Sequence, residues 1–194
     1  MSLRQRLKVE TASHHHRLEA ALDVLQMRTR AEYVALLARF YGFYEPAEQE
    51  LDAAPPELAL HLINRRKTPL LVADLAHFGY SPAELARVPR CSDAPGLDSR
   101  AQVLGAFYVY EGSTLGGRFI GNHFAEALQL DTAGLAFFRG YGDGTGPMWQ
   151  AYCQLLDDWT GARWEDEVVA AARSTFAKLQ HWLAPLSETP QQRR

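Results

Sequence analysis

Thiols, strand patterns, long apolar runs and surplus positive charge are scarce or absent in this sequence, and each gap removes a class of function. The 194 residues contain two cysteines, Cys91 and Cys153. Two are too few for a disulfide framework or a protein-bound iron–sulfur cluster, and one bridge is the most they can form. No run of about 18 apolar residues occurs, so no membrane-spanning helix is expected. The first ten residues are polar and charged and do not read as a signal peptide, which points to the cytoplasm. The formal net charge of −3 gives no reason to expect nucleic acid or an anionic membrane as partner, so any basic site must be local. The glycine-rich stretch 139–147 lacks a P-loop lysine and follows no strand pattern, which argues against a phosphate site.

What is present is apolar residues at helical spacing. Hydrophobic residues make up 47% of the chain and charged residues 22%, as in an ordinary globular protein. No stretch alternates with period two, so the fold class is all-α. No repeat or linker divides the chain, so residues 1–194 read as one domain, with a frayed polar tail over 185–194. Helices are expected over 2–22, with Leu3, Leu7, Thr11, Leu18 and Leu22 along one face, and from about 30, where Thr29 and Glu32 form a capping box. Pro46 should kink or end that second helix. A break at 53–56 precedes a short helix over 57–63. The next helix has Thr68 as N-cap and Pro69 at its first position. Ser81-Pro82-Ala83-Glu84 opens another. Further helices are expected over 99–128, 131–138, 148–160 (stopped by Gly161) and from 164 or 165 to about 183.

The unusual feature is Glu111-Gly112-Ser113-Thr114-Leu115-Gly116-Gly117, in the middle of the longest expected helix. Each glycine there costs about 1 kcal/mol relative to alanine. Such a cluster is explained if the helix bends or if something flat approaches its backbone. Gly112 and Gly116 stand four apart and share a face. A second feature is His14-His15-His16. Consecutive side chains on a helix diverge by about 100°, so the three cannot share one metal. His15 has Glu19 four residues on, a carboxylate placed to take its Nδ1 proton and free Nε2 for a metal. His14 and His16 read as surface residues, and His61, His77, His123 and His181 as structural or surface ones.

Leu7-Lys8, Thr11-x-x-x-His15 and Leu18-Glu19, taken with the glycine motif, resemble the proximal and distal helices of the haem oxygenase family. The run from Tyr108 to Gly117 resembles the bacterial branch often associated with bacteriophytochromes. Arg66-Lys67-Thr68-Pro69-Leu70-Leu71 with Asp74-Leu75, and Phe137-Phe138 with Tyr141-Gly142, agree with the family in order and spacing, so the likeness covers nearly the whole chain. It implies an all-α haem oxygenase fold in which haem lies between the first helix and a glycine-kinked distal helix. His15 would be the axial iron ligand. Gly112, Gly116 and Gly117 would admit the haem face and leave room for dioxygen, while the helix shields all but one meso carbon. The family often carries an aspartate where this sequence has Ser113; a hydroxyl can hold water but is a poor proton source. Arg173, in the last helix, resembles a family contact to the haem propionates. Lys8, seven residues before His15 on nearly the same face, is a second cation for them; Lys178 and Tyr108 are weaker candidates. Each of these cations also reads as ordinary solvated charge.

The resemblance implies oxidative opening of haem to biliverdin with release of carbon monoxide and ferrous iron. The chain shows no flavin or iron–sulfur signature, so electrons would come from a ferredoxin or reductase, and a bacteriophytochrome could use the product. Two alternatives remain: a haem-binding or haem-sensing protein without turnover, and a thiaminase-like helical enzyme, for which no nucleophilic cysteine is evident.

Overall fold

The computed structural model describes residues 1–52, 54–159 and 164–184, and all regular structure among them is helical. Helix α1 (Leu3–Leu22) begins at Ser2, whose hydroxyl accepts the Gln5 amide while the Gln5 side chain accepts the Ser2 amide. Leu3, Leu7 and Thr11 are buried, and α1 packs on α9 (Glu165–Leu183). Beyond Thr11 the apolar face is left open: Leu18 and Leu22 are half-buried and line a cavity.

Helix α2 (Arg30–Gln49) starts with the expected Thr29–Glu32 capping box. Pro46 does not end it. Proline leaves the carbonyl four residues back without its helical donor. That carbonyl belongs to Gly42, and the Cys91 amide donates to it at 2.8 Å. A side chain at Gly42 would collide with the Pro89 carbonyl, so glycine is what lets segment 89–91 reach the helix.

Helix α3 spans Pro56–Leu62 and α4 spans Thr68–His77. Thr68 is not the N-cap of α4 but its first helical residue; Lys67 takes the cap position. The orphan amides of Lys67 and Thr68 both donate to the buried carboxylate of Glu48 from α2. Helix α5 (Pro82–Leu85) carries the expected Ser81–Glu84 box.

Helix α6 (Arg100–Leu128) runs through the glycine cluster as one helix, capped by Ser99 and Gln102. Helix α7 (Ala136–Arg139) is a single turn, shorter than expected, because its N-terminus is set from outside. Asp74 of α4 accepts the Ala136 and Phe137 amides at 2.7 and 2.8 Å. Helix α8 (Thr145–Trp159) begins three residues earlier than expected, taking in the end of the glycine-rich stretch. Ala53 of the expected break, the expected stop at Gly161 and the expected frayed tail lie outside the described residues. No helix among the described residues is long and apolar enough to cross a membrane.

Both α1 and α6 pack extensively on α9 and far less on each other, so they form the two walls of a slot. Gly105 makes the α6–α9 crossing close: a Cβ there would sit 2.6 Å from both Ala171 Cβ and the Val168 carbonyl. Gly105→Ala is therefore expected to destabilise the fold by about 1–3 kcal/mol through overpacking, although alanine is the better helix former by about 1 kcal/mol. A urea midpoint equal to or above that of the unsubstituted protein would contradict this crossing.

Candidate functional site

The slot holds a cavity of about 660 Å³, within the range of about 300–1,000 Å³ common for small-molecule sites. Its α1 wall is His15, Leu18, Glu19 and Leu22. Its α6 wall runs from Gly112 to Gly117 and on to Phe119 and Ile120. Phe40 and Tyr44 of α2, Phe137 and Phe138 of α7 and Leu179 of α9 close it. The lining is largely apolar, and Leu115 and Phe119 are exposed at 51% and 66%. Exposed apolar side chains grouped at a cavity mark a surface that an apolar ligand covers. A second cavity of about 490 Å³ lies on the other side of His15 and Ser113, lined by Lys8, Thr11, Tyr108, Trp149 and Phe176 among others.

His15 lines both cavities. Its Nδ1 lies 3.2 Å from Glu19 Oε2, and its ring meets Phe176 edge-on at 6.0 Å between centroids. The carboxylate thus stands at one ring nitrogen, and Nε2 has no protein partner among the described residues. That is the arrangement of a ligating imidazole. His14 is held elsewhere, with Nδ1 3.1 Å from Arg17 Nη2. Burial, then the Arg17 and Arg173 charges, push its pKa down. His16 is 80% exposed, with Nδ1 3.6 Å from the Glu19 carboxylate.

The three glycines of the motif turn out to differ. A Cβ on Gly116 would meet nothing within 4 Å, so its missing side chain leaves room in the cavity. A Cβ on Gly112 would stand 3.7 Å from Trp149, in ordinary contact. Gly117 is buried, and a Cβ there would lie 2.5 Å from the Phe138 carbonyl. Its bareness lets α7 approach, which brings Phe137 and Phe138 to the cavity. Ser113 donates its hydroxyl proton to the Tyr110 carbonyl at 2.8 Å, and Thr114 donates to the Glu111 carbonyl at 2.6 Å. Burial pushes the Tyr44 phenol up, and the neighbouring Ser113 hydroxyl draws it back.

The expected propionate partners fare unevenly. Lys8 and Tyr108 reach the smaller cavity; burial raises the Tyr108 phenol, with Thr11 as its hydrogen-bonding neighbour. Arg173 does not line either cavity. Its exposed side chain is drawn to Glu10 of α1, 3.6 Å away. Lys178 is likewise engaged elsewhere, with Asp93 at 2.8 Å. Cys91 and Cys153 are buried, line neither cavity and are pushed up chiefly by burial, so neither is an activated nucleophile.

Sequence reasoning missed a buried charge cluster behind the distal helix. Glu111, fully buried, accepts from Arg65 Nη1 through one oxygen. Its other oxygen accepts from Lys67 Nζ at 2.6 Å and from the Tyr141 hydroxyl at 2.8 Å. Lys67 also donates to Tyr141 Oη at 2.8 Å, and Arg65 to the Met148 carbonyl at 3.0 Å. Burial lowers the Lys67 pKa, and Glu111 opposes that shift. The available signal was a carboxylate set in an otherwise apolar run, which has to find a cation when buried.

A family model described as Heme oxygenase matches residues 1–184. Among solved structures, that of a heme oxygenase from Neisseria meningitidis, described in NO- and CO-bound forms, superposes with a TM-score of 0.74 at 22% identity, covering 100% of this chain and 96% of its own. Heme oxygenase-1 from the cyanobacterium Synechocystis, in complex with heme, gives 0.70 at 19% identity, over 96% and 92%. A domain of unknown function with a heme oxygenase-like fold, from Shewanella denitrificans, gives 0.74 at 14% identity, over 96% and 92%. Among curated protein sequences no match was found.

Proposed function

Because the chain belongs to the haem oxygenase family, we propose that it binds haem as cofactor and substrate and opens the ring to biliverdin, releasing carbon monoxide and ferrous iron. The observation that carries this reading is the His15–Glu19 pair, 3.2 Å apart, on one wall of an apolar cavity whose other wall is the bare backbone at Gly112 and Gly116. The residues fit the group: an imidazole with its second nitrogen free, a lining with little polarity, and open space where a Cβ of Gly116 would be. When bound, haem supplies the iron that activates dioxygen and the macrocycle that is oxidised.

The chain's own part is to bind, orient and shield. His15 offers Nε2 to the iron, with Glu19 and Phe176 holding its ring. Gly116 would leave space for dioxygen, and Leu115, Phe119 and Ile120, which line the same cavity, would shield bound haem from solvent. Lys8 and Tyr108, which line the smaller cavity, would meet the propionates there. Electrons come from a separate ferredoxin or reductase, and the cytoplasm, the bacterial branch and a bacteriophytochrome as user of the product belong to the same reading.

Gly116→Leu tests the close approach. A Cβ there would meet nothing within 4 Å and leucine is the better helix former, so the thermal midpoint should hold or rise. Haem affinity or turnover should fall by about tenfold or more, equivalent to about 1.4 kcal/mol. Unchanged affinity and turnover would contradict the distal placement.

One observation favours a second reading, haem binding or sensing without turnover: Ser113 stands where a carboxylate is common, and its proton is committed to the Tyr110 carbonyl. Haem-loaded protein supplied with a ferredoxin and its reductase in air separates the two. Carbon monoxide and ferrous iron released in step with haem loss support the enzyme. Retained haem with neither product leaves the sensor.

A further inference from the structure

We propose that Lys67 is a catalytic residue of the distal wall, the cation and hydrogen-bond donor that Ser113 does not supply. This rests on the haem oxygenase reading of the cavity and assigns the donor that faces whatever binds opposite His15.

The hydroxyls of the distal wall have their protons engaged. Ser113 donates to the Tyr110 carbonyl and Thr114 to the Glu111 carbonyl. The Tyr44 phenol, fully buried, has Ser113 as its hydrogen-bonding neighbour. The Ser113 and Thr114 protons thus end on backbone oxygens inside α6 and are not directed at a ligand. Lys67 differs. Its side chain lines the large cavity while being almost wholly buried. An ammonium has three N–H donors. One goes to Glu111 Oε1 and one to Tyr141 Oη, which leaves the third for the cavity.

The surroundings hold that ammonium in place. Burial disfavours its charge, and Glu111 opposes that shift. The Tyr141 ring lies 4.5 Å from Nζ, adding a cation–π contact. Glu48 fixes the Lys67 backbone through its amide. Arg65 satisfies the other oxygen of Glu111, so the carboxylate does not draw Lys67 away from the cavity. A donor fixed in advance at an apolar site costs no reorganisation when negative charge develops opposite it, and there it is worth more than in water.

The test uses full-length protein loaded with ferric haem and fluoride as the distal ligand, because bound fluoride accepts hydrogen bonds from the pocket. Lys67→Gln should leave the His15-ligated haem spectrum intact and weaken fluoride binding by about tenfold or more, as expected for losing a hydrogen bond from a charged group. Lys67→Arg, which keeps the charge, should stay within about threefold of the unsubstituted protein on the same basis. Fluoride affinity in Lys67→Gln equal to that of the unsubstituted protein overturns the proposal and leaves Lys67 a structural partner of Glu111. If Lys67→Gln does not fold, the iron–fluoride stretching frequency of the unsubstituted protein decides: it should shift between H2O and D2O, because an exchangeable N–H donates to the fluoride, and no shift overturns the proposal. An unsubstituted protein that takes up no haem refutes the haem reading itself, and the role of Lys67 with it.

Discussion

His15→Ala should take up haem without an axial protein ligand and lose turnover by more than the roughly 10–100-fold typical of changing an outer partner of a metal ligand. Among the described residues, the His15 imidazole is the one side chain that combines a free Nε2, a carboxylate 3.2 Å from Nδ1 and a place on both cavities. Added imidazole should restore much of the lost spectrum, because the space vacated by the ring lies open beside Glu19. His14→Ala and His16→Ala are the controls. His14 is tied to Arg17, and His16 points largely to solvent, so neither change should alter the ferric spectrum. A ligand-free spectrum from His14→Ala alone would mean that the face assigned to α1 is wrong.

Glu111→Leu should cost about 3–5 kcal/mol of stability, the usual penalty for leaving a buried charge without its partner. Here two buried cations, Arg65 and Lys67, lose the same carboxylate. Against a typical total of about 5–15 kcal/mol, that loss should be plain in a urea or thermal midpoint. Glu111→Gln keeps hydrogen-bonding capacity and should cost less. A Glu111→Leu protein within about 1 kcal/mol of the unsubstituted one would mean that the two cations find other partners or lie in contact with water.

The contrast between these two residues shows what could be read from the chain before its fold was known. His15 and Glu19 are four apart on one helix, so local geometry alone brings them together. The same holds for the Thr29–Glu32 and Ser81–Glu84 capping boxes, each closed within three residues. Glu111 was visible, and the basic run 65–67 was visible, but their pairing depends on how α6 lies over the segment before α4. Pro46 looked like a helix breaker because the amide that rescues the Gly42 carbonyl belongs to Cys91. Thr68 looked like a cap because Glu48, which does the capping, lies on another helix. Arg173 stood out for propionates because its position resembles a family contact, which does not show that Glu10 of α1 stands beside it. In each case the deciding partner is distant in sequence and no spacing rule reaches it.

The glycine motif was legible as a group and not as individuals. Its cost in helix propensity is plain from sequence. The division of roles is not: Gly116 borders the cavity, while Gly117 seats α7 against α6 through the Phe138 carbonyl. Arg66-Lys67, Asp74, Phe137-Phe138 and Tyr141 had stood out only as scattered points of likeness to a family. The fold gathers most of them behind or beside the distal helix. Lys67 and Tyr141 close on Glu111, and Asp74 caps the turn that carries both phenylalanines to the cavity.

The most direct measurement is the absorption spectrum of the haem-reconstituted protein, followed in air after a reductant is added. Oxidative ring opening in the α1–α6 slot predicts a Soret band that depends on His15 and decays as biliverdin absorbance grows. A stable Soret band under those conditions would contradict turnover, and the absence of any His15-dependent band would contradict haem binding itself.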